Sequence, residues 1–433
     1  VLLPKQELFI ILYFYLLNTP FISMYNTINI ASNAQQFIEL EEKFGAHNYH
    51  PIPVVLHKGS GVFVWDTDDK RYYDFLSGYS AVNQGHCHPK IINALTEQAQ
   101  KLTLTSRAFY NNLLGEYEKF ITGYFGYDKV LPMNTGVEAV ETAIKLARHW
   151  GYRVKDIAQN RAKIIVCGQN FHGRTTGVIS FSTDPSATND FGPFIPGFQV
   201  VPFNDLPALE NAMQDTDVCG FLFEPIQGEA GVLVPDEGYY SGIRQLCNEY
   251  NVLMMADEIQ TGLARTGTML GCDHENVRPD ILILGKALSG GTMPVSAVLA
   301  DDVIMMTIKP GEHGSTYGGN PLACAVAMAS LQILKDEHLE ENAMAMGILL
   351  REEIKKLDSP FISTVRGRGL LNAIVIQHPN PEAAWDLCLI LKENGLLAKP
   401  THGDKIRFAP PLVITKEQIL ECVQIIQQSV ALL

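Results

Sequence analysis

The stretch Arg278–Gly291, RPDILILGKALSGG, sets one lysine, Lys286, behind a short apolar strand and ahead of two glycines. Pro279 and Gly285 bound the apolar run, which is the pattern of a buried strand. A lysine at the end of such a strand would lose hydration for its ammonium, and burial can lower a lysine pKa by about 3 to 5 in extreme cases. The neutral amine is then a nucleophile, the usual partner of a carbonyl in Schiff-base chemistry. By itself the stretch leans the other way, to a lysine whose stem snorkels to the surface.

Around it lies a chain of 433 residues, long enough for two or more domains. Its 46% hydrophobic and 18% charged residues suit a well-buried α/β enzyme. A net charge of −14 with no basic run excludes nucleic acid as an expected partner. The eight cysteines are scattered without a CxxC, so no metal site is expected. They suit reduced thiols in a reducing compartment, the cytoplasm, with the mitochondrial matrix as the alternative. LFIILYFYLL (8–17) is about half the ~20 residues a membrane span needs, and no membrane association is expected. Residues 1–23 are expected to be an extension outside the functional fold, with Met24 opening sequence of ordinary soluble character.

From residue 24 to 75 the pattern is an N-terminal segment: a short helix running into a loop in NAQQFIELEEKFGAHNY, then a hairpin in SGVFVWDTDDKRYYDFL (60–76). Residues 76–334 alternate strands and helices. Strands are expected at KVLPMN, KIIVCG, CGFLFEP, VLMMADE, DILILG and VSAVLA. A helix VEAVETAIKLARHWGY has an apolar stripe of Val137, Val140, Ala143, Ile144 and Ala147. The fold class is therefore α/β, with a mostly parallel sheet flanked by helices. A long helix is expected with Asn320 as N-cap and Pro321 at its first position. Beyond it, residues 335–433 read as a smaller α+β domain.

In an open α/β sheet, ligands sit beyond the carboxyl ends of the strands, and four groups fall there. In MNTGVEAVE, Thr135 and Glu138 have capping-box spacing, while Gly136 would let a phosphate approach the helix start. In MMADEIQTG, Asp257 either caps a turn or holds a heterocycle nitrogen protonated, as pyridoxal phosphate requires. Lys286 follows Asp257 by 29 residues, room for a helix and the next strand. In NFHGRTTG, Phe171 or His172 could stack on a ring and Arg174 could clamp a carboxylate, or they are a core Phe and a surface Arg. EPIQGEAG supplies Glu224 and Glu229, and IRFAPP supplies Arg407; nothing in their spacing says that Glu229 meets Arg407.

NFHGRT, EPIQGEAG, ADEIQTGLARTG, LGKALSGG and GSTYGGNPLA, in that order along the chain, resemble the class III, or ω-amino, aminotransferases of fold type I. GAHNYHPIPVVL, YSAVNQGHCHPKI, LTLTSRAFYNN, PMNTGVEAVETA, TIKPGEHGSTYGGNPL and GLLAKPTHGDKIRFAPPL extend the resemblance from about residue 44 to 433. It implies a large pyridoxal-phosphate-binding domain and a smaller C-terminal one. Lys286 would form the Schiff base and shuttle the proton, and Asp257 would pair with the pyridinium nitrogen. Gln260 would contact the ring hydroxyl, Phe171 would stack on the ring, and Gly136 and Val137 would give N–H groups to the phosphate. Thr316 and Ser315 would reach the phosphate of the neighbouring subunit, which implies a homodimer.

The implied activity moves the δ-amine of L-ornithine to 2-oxoglutarate, giving glutamate semialdehyde, which cyclises to a pyrroline carboxylate, and glutamate. Tyr49 and Arg174 would hold the α-amino-acid end and Tyr79 would shape the pocket. Arg407 would bind the α-carboxylate of glutamate, and Glu229 would neutralise Arg407 when ornithine is bound, since an unpaired buried Arg is costly. A sister activity on N-acetylornithine or 4-aminobutyrate is the alternative, with Tyr49 favouring a free α-amine. A non-catalytic binding protein on the same fold is the third reading; intact Lys286 and Asp257 argue against it. Two places depart from the resemblance: His172 stands where some members have tryptophan, and Thr292–Met293 follows the glycines where a bulkier aromatic is expected.

Overall fold

The computed structural model describes residues 34–433, so the expected extension 1–23 and the Met24 boundary lie outside the described residues. The described residues fall into two compact units: 34–56 with 66–69, and 57–65 with 70–433. In the first, the helix Ala34–Phe44 buries none of its residues. In the second, β1 (Leu56–Ser60, all but its first residue), β2 (Phe63–Asp66, all but its last residue) and β3 (Arg71–Asp74) come first, with the expected hairpin setting Phe63 opposite Tyr73.

Seven strands follow: β4 (Lys129–Met133), β5 (Lys163–Cys167), β6 (Phe198–Val201), β7 (Val218–Phe223), β8 (Leu253–Asp257), β9 (Ile281–Leu284) and β10 (Ser296–Ala300). They form one sheet in the order β4-β10-β9-β8-β7-β5-β6. Neighbours from β9 to β6 run parallel, and β10 alone opposes both of its neighbours. Nearly every residue of β5, β7, β8 and β9 is buried because each face has its own cover. Ile164, Val166, Leu253 and Met255 pack with Val140, Ala143 and Ala147 of the helix Gly136–Arg153. The intervening Ile165, Cys167, Met254 and Ala256 pack on the other face with Tyr240 and Ile243 of the helix Tyr239–Glu249. The period of two along each strand thus feeds two cores at once.

The helix Pro321–Asp336 begins as expected, with Asn320 Oδ1 accepting from the Ala323 N–H at 2.9 Å. After it come three helices, Leu339–Lys355, Ala383–Glu393 and Lys416–Val430. With them are β11 (Ile362–Arg368), β12 (Leu371–Ile376), β13 (Leu396–Leu397), β14 (Lys399–Thr401) and β15 (Lys405–Phe408). β13 adds to β3, and the other four make an antiparallel sheet in the order β11-β12-β15-β14. The sequence pattern did not predict β1, β6, β11, β13 or β14. Ile226 and Val232 of the loop after β7 pack on Leu371 and Ala373 of β12 and on Ala409, and the Arg366 guanidinium donates to Gly231 O at 2.7 and 2.9 Å. That loop is thereby pinned beside β15, which carries Arg407. Among the described residues no helix is long and apolar enough to cross a membrane.

Candidate active site

Lys286 does not end the strand itself. β9 stops at Leu284, Gly285 is extended, and Lys286 opens a single 3₁₀ turn to Ser289 with φ +44°. A lysine in the left-handed region is a strained choice, worth about 1–3 kcal/mol, of the kind that clusters at functional sites. Burial holds its amine below the ordinary lysine value, although the Glu229 and Asp257 carboxylates pull the other way.

Asp257 is the last residue of β8, opposite Ile283 of β9, so the parallel pairing brings it to the same sheet edge as Lys286. Its Oδ1 accepts from the Ile259 N–H at 3.1 Å, and its Oδ2 lies 2.6 Å from His172 Nδ1. Burial alone would lower His172, but the hydrogen bond and charge of Asp257 hold it above its ordinary value. His172 Nε2 is buried without a partner. Of the two rings expected as stackers, His172 is therefore engaged edge-on with the acid, while half-buried Phe171 lines the cavity with the Arg174 guanidinium 5.4 Å from its centroid.

Glu224 follows directly after β7. Its Oε2 accepts the Phe171 N–H at 3.0 Å, and burial pushes its carboxyl up to about 8, helped by Asp257 and opposed by His172. At the far side, the helix Gly136–Arg153 starts from the expected capping box of Thr135 and Glu138. Gly136 packs so closely that a Cβ would meet Ile259 Cδ1 at 3.0 Å. Asn134 Nδ2 donates to Ser315 Oγ of its own chain at 2.8 Å, and Thr316 is exposed.

Glu229 and Arg407, whose meeting the sequence left open, are paired: Oε1 lies 2.5 Å from Nη1. Burial would raise Glu229, but the Arg407 and Lys286 cations hold it below the usual carboxylate value. The Arg407 guanidinium also sits 5.3 Å from the Tyr79 ring centroid. Gln260 Nε2 is 3.4 Å from both Glu229 Oε1 and Tyr79 O, leaving its buried Oε1 without a partner. Tyr49 is exposed and belongs to the first unit. Lys286, Asp257, Gly136, Val137, Phe171, Gln260, Arg174 and Glu229 line one cavity, with Arg407 and Tyr79 joined to it through Glu229 and Gln260, while Ser315 and Thr316 lie outside its lining; His172 beside Asp257 and the Glu224 bond to Phe171 were not foreseen. The only hint in the sequence was their position at strand ends.

A cavity of about 270 Å³ is lined by Lys286, Asp257, Gln260, Phe171, Glu224 and Gly136 among others. The donor set fits pyridoxal phosphate: an amine of lowered basicity, a buried carboxylate, an unpaired amide oxygen at Gln260 and the open N–H groups of a helix start. Residues 44–430 match the family described as Aminotransferase class-III. The chain is 63% identical over 398 residues to a rat protein named ornithine aminotransferase, mitochondrial, covering 92% of this chain and 91% of the relative. An ornithine aminotransferase structure from Toxoplasma gondii superposes with a TM-score of 0.91 at 48% identity, covering 93% of this chain and 95% of that one. A structure called acetylornithine aminotransferase, from Elizabethkingia anophelis, superposes with a TM-score of 0.85 at 60% identity, covering 93% and 100%. With the motifs, the sheet order and the family match in agreement, the chain belongs to the class-III aminotransferases.

Proposed function

We propose that the chain transfers the δ-amino group of L-ornithine to 2-oxoglutarate, giving glutamate semialdehyde and glutamate. Class-III aminotransferases use pyridoxal phosphate, which supplies the electron sink that lets an amino group pass between two carbonyl carbons. Lys286 Nζ, its basicity lowered, would be the amine that holds the cofactor and the base that moves a proton between carbons. The Asp257 carboxylate, oriented by His172, would keep a pyridine nitrogen protonated. Phe171 would cover the ring, Gln260 would meet its hydroxyl, and the N–H groups of Gly136 and Val137 would receive the phosphate.

The observation that carries the substrate assignment is the Glu229–Arg407 pair inside the same cavity region. Ornithine presents a distal amine and needs no cation beside it, so Glu229 keeps Arg407 neutralised. Glutamate presents its α-amine with a carboxylate beside it, and Arg407 exchanges Glu229 for that carboxylate. Arg174 holds the amino-acid end of ornithine, and Tyr79 supports Arg407 through its ring face.

The functional unit is a homodimer in this reading. Phe109, Tyr110 and Tyr317 are exposed large rings, all three in the segments of the family resemblance, and a second copy would cover them. Ser315 and Thr316 then serve the neighbouring site. In this reading residues 76–334 form a large domain around the seven-stranded sheet and residues 335–433 a smaller one around the antiparallel sheet. Eight free thiols support a reducing compartment; the name of the rat relative carries the word mitochondrial.

The test is a half-reaction. Protein loaded with pyridoxal phosphate is mixed with L-ornithine alone, then with N-acetylornithine alone, and its visible absorption band is followed. Loss of the band with ornithine, with semialdehyde released, supports the proposal. Loss with the acetylated compound only would move the enzyme to the sister activity, the one named for the Elizabethkingia structure.

A further inference from the structure

We propose that Glu224 is a positioning residue of the cofactor pocket, acting as a neutral carboxylic acid that holds Phe171 over the ring through the Phe171 N–H. The inference rests on the pyridoxal phosphate reading above and adds a residue to which that reading gives no role.

Parallel pairing of β7 with β8 sets Phe223 opposite Ala256, so the next residues, Glu224 and Asp257, emerge side by side at the carboxyl edge. Both are buried, and both line the cavity with Lys286. Asp257 is committed to His172 and the Ile259 N–H. Glu224 instead reaches the loop after β5, where its Oε2 accepts the N–H of Phe171 at 3.0 Å. That one bond fixes the backbone carrying both Phe171 and His172, the side chain against Asp257.

Charge decides the form in which Glu224 does this. The groups facing it are His172, Asp257 and Lys286, and burial is the largest influence on it. A second carboxylate beside Asp257 would compete for the His172 imidazole. A neutral acid keeps its proton on Oε1, leaves Oε2 free to accept from Phe171, and lets Asp257 keep His172 and a pyridinium nitrogen to itself. Its raised value, about 8, agrees with that form at neutral pH.

The test compares pyridoxal phosphate affinity and the visible circular dichroism of the bound cofactor in the wild type, Glu224→Gln and Glu224→Ala at pH 7. The amide keeps an acceptor oxygen and no charge, so Glu224→Gln binds within about twofold of wild type with the same dichroic band. Glu224→Ala leaves the Phe171 N–H without its buried acceptor, binds about tenfold more weakly, and changes the band. Equal binding and an equal band in Glu224→Ala would overturn the proposal, as would a Glu224→Gln as weak as Glu224→Ala. Should Glu224→Ala not fold, the profile between pH 7 and 9 decides: wild type loses affinity relative to Glu224→Gln as the acid ionises, and parallel profiles overturn the proposal. A wild type that binds no pyridoxal phosphate would instead sink the underlying functional reading, a distinct outcome.

Discussion

Glu229 and Arg407 meet at 2.5 Å although 178 residues separate them, and Arg407 is 4% exposed. Removing one partner of a buried pair leaves an uncompensated charge, which costs about 3–5 kcal/mol. Glu229→Ala is therefore expected to lower the thermal midpoint, and to bind dicarboxylates better because Arg407 no longer has to exchange partners. The ratio of kcat/KM for ornithine to that for glutamate should fall about tenfold, a shift near 1.4 kcal/mol. Equal ratios in the two proteins would mean that Glu229 plays no part in telling the substrates apart.

Lys286→Ala tests the chemistry more directly. The lysine lies at the edge of the sheet, in a one-turn 3₁₀ segment, so its loss should leave the fold intact. Alanine keeps a Cβ, so the left-handed backbone at this position is no more strained in the variant than in the wild type. Far-ultraviolet dichroism should be unchanged, the visible band of the Lys286-linked cofactor absent, and turnover reduced by at least the ~10²–10⁴-fold of a lost proton-transfer group. Wild-type turnover in this variant would remove Lys286 from the mechanism.

The pairing of His172 with Asp257 predicts a pH dependence of stability. His172 is held above its unfolded value, so the folded protein binds its proton more tightly than the unfolded chain. The stability it contributes is complete below about pH 6.5, the unfolded value, and is lost as pH rises through the higher folded value. His172→Gln removes this contribution. The wild type should exceed the variant in thermal midpoint most at pH 6, and the gap should narrow toward pH 9. A gap constant across that range would show that no proton is taken up at His172 on folding.

Local pattern read well along this chain and direction read poorly. Apolar runs such as ILIL and LMMAD declared buried strands, and Thr135 with Glu138 declared a helix start, because each needs only near neighbours. The reversal of β10 left no mark, since an apolar strand looks the same whichever way it runs. β6, with FQVV, did not register, because Gln199 breaks an apolar run of only four residues. Within the site, Lys286 and Asp257 could be placed because the strands that Asp257 ends and Lys286 closely follows are marked in sequence. The Glu229–Arg407 pair could not: it depends on Ile226 and Val232 packing against β12, a contact between distant parts of the chain. His172 was weighed as a ring stacker for the same reason, since only the tertiary fold brings its imidazole to Asp257.

Gly228 supplies a last prediction, because its neighbour is a proposed cofactor contact. It lies in EPIQGEAG, and a Cβ built on it would overlap Gln260 Oε1 and crowd Gln260 Cδ. The amide cannot retreat freely, as its Nε2 is 3.4 Å from Tyr79 O and from Glu229 Oε1. Gly228→Ala must therefore rotate Gln260 out of place or shift the loop that carries Glu229. Overpacking of this kind costs about 1–3 kcal/mol. Pyridoxal phosphate affinity should fall about tenfold while far-ultraviolet dichroism stays unchanged, and KM for both substrates should rise as Glu229 moves. Gly228→Ala combined with Gln260→Ala removes the clash, so the double variant should recover the KM values but not the cofactor affinity. If the double variant is as poor in KM as Gly228→Ala alone, the glycine matters for its own backbone and not for the room it leaves to Gln260.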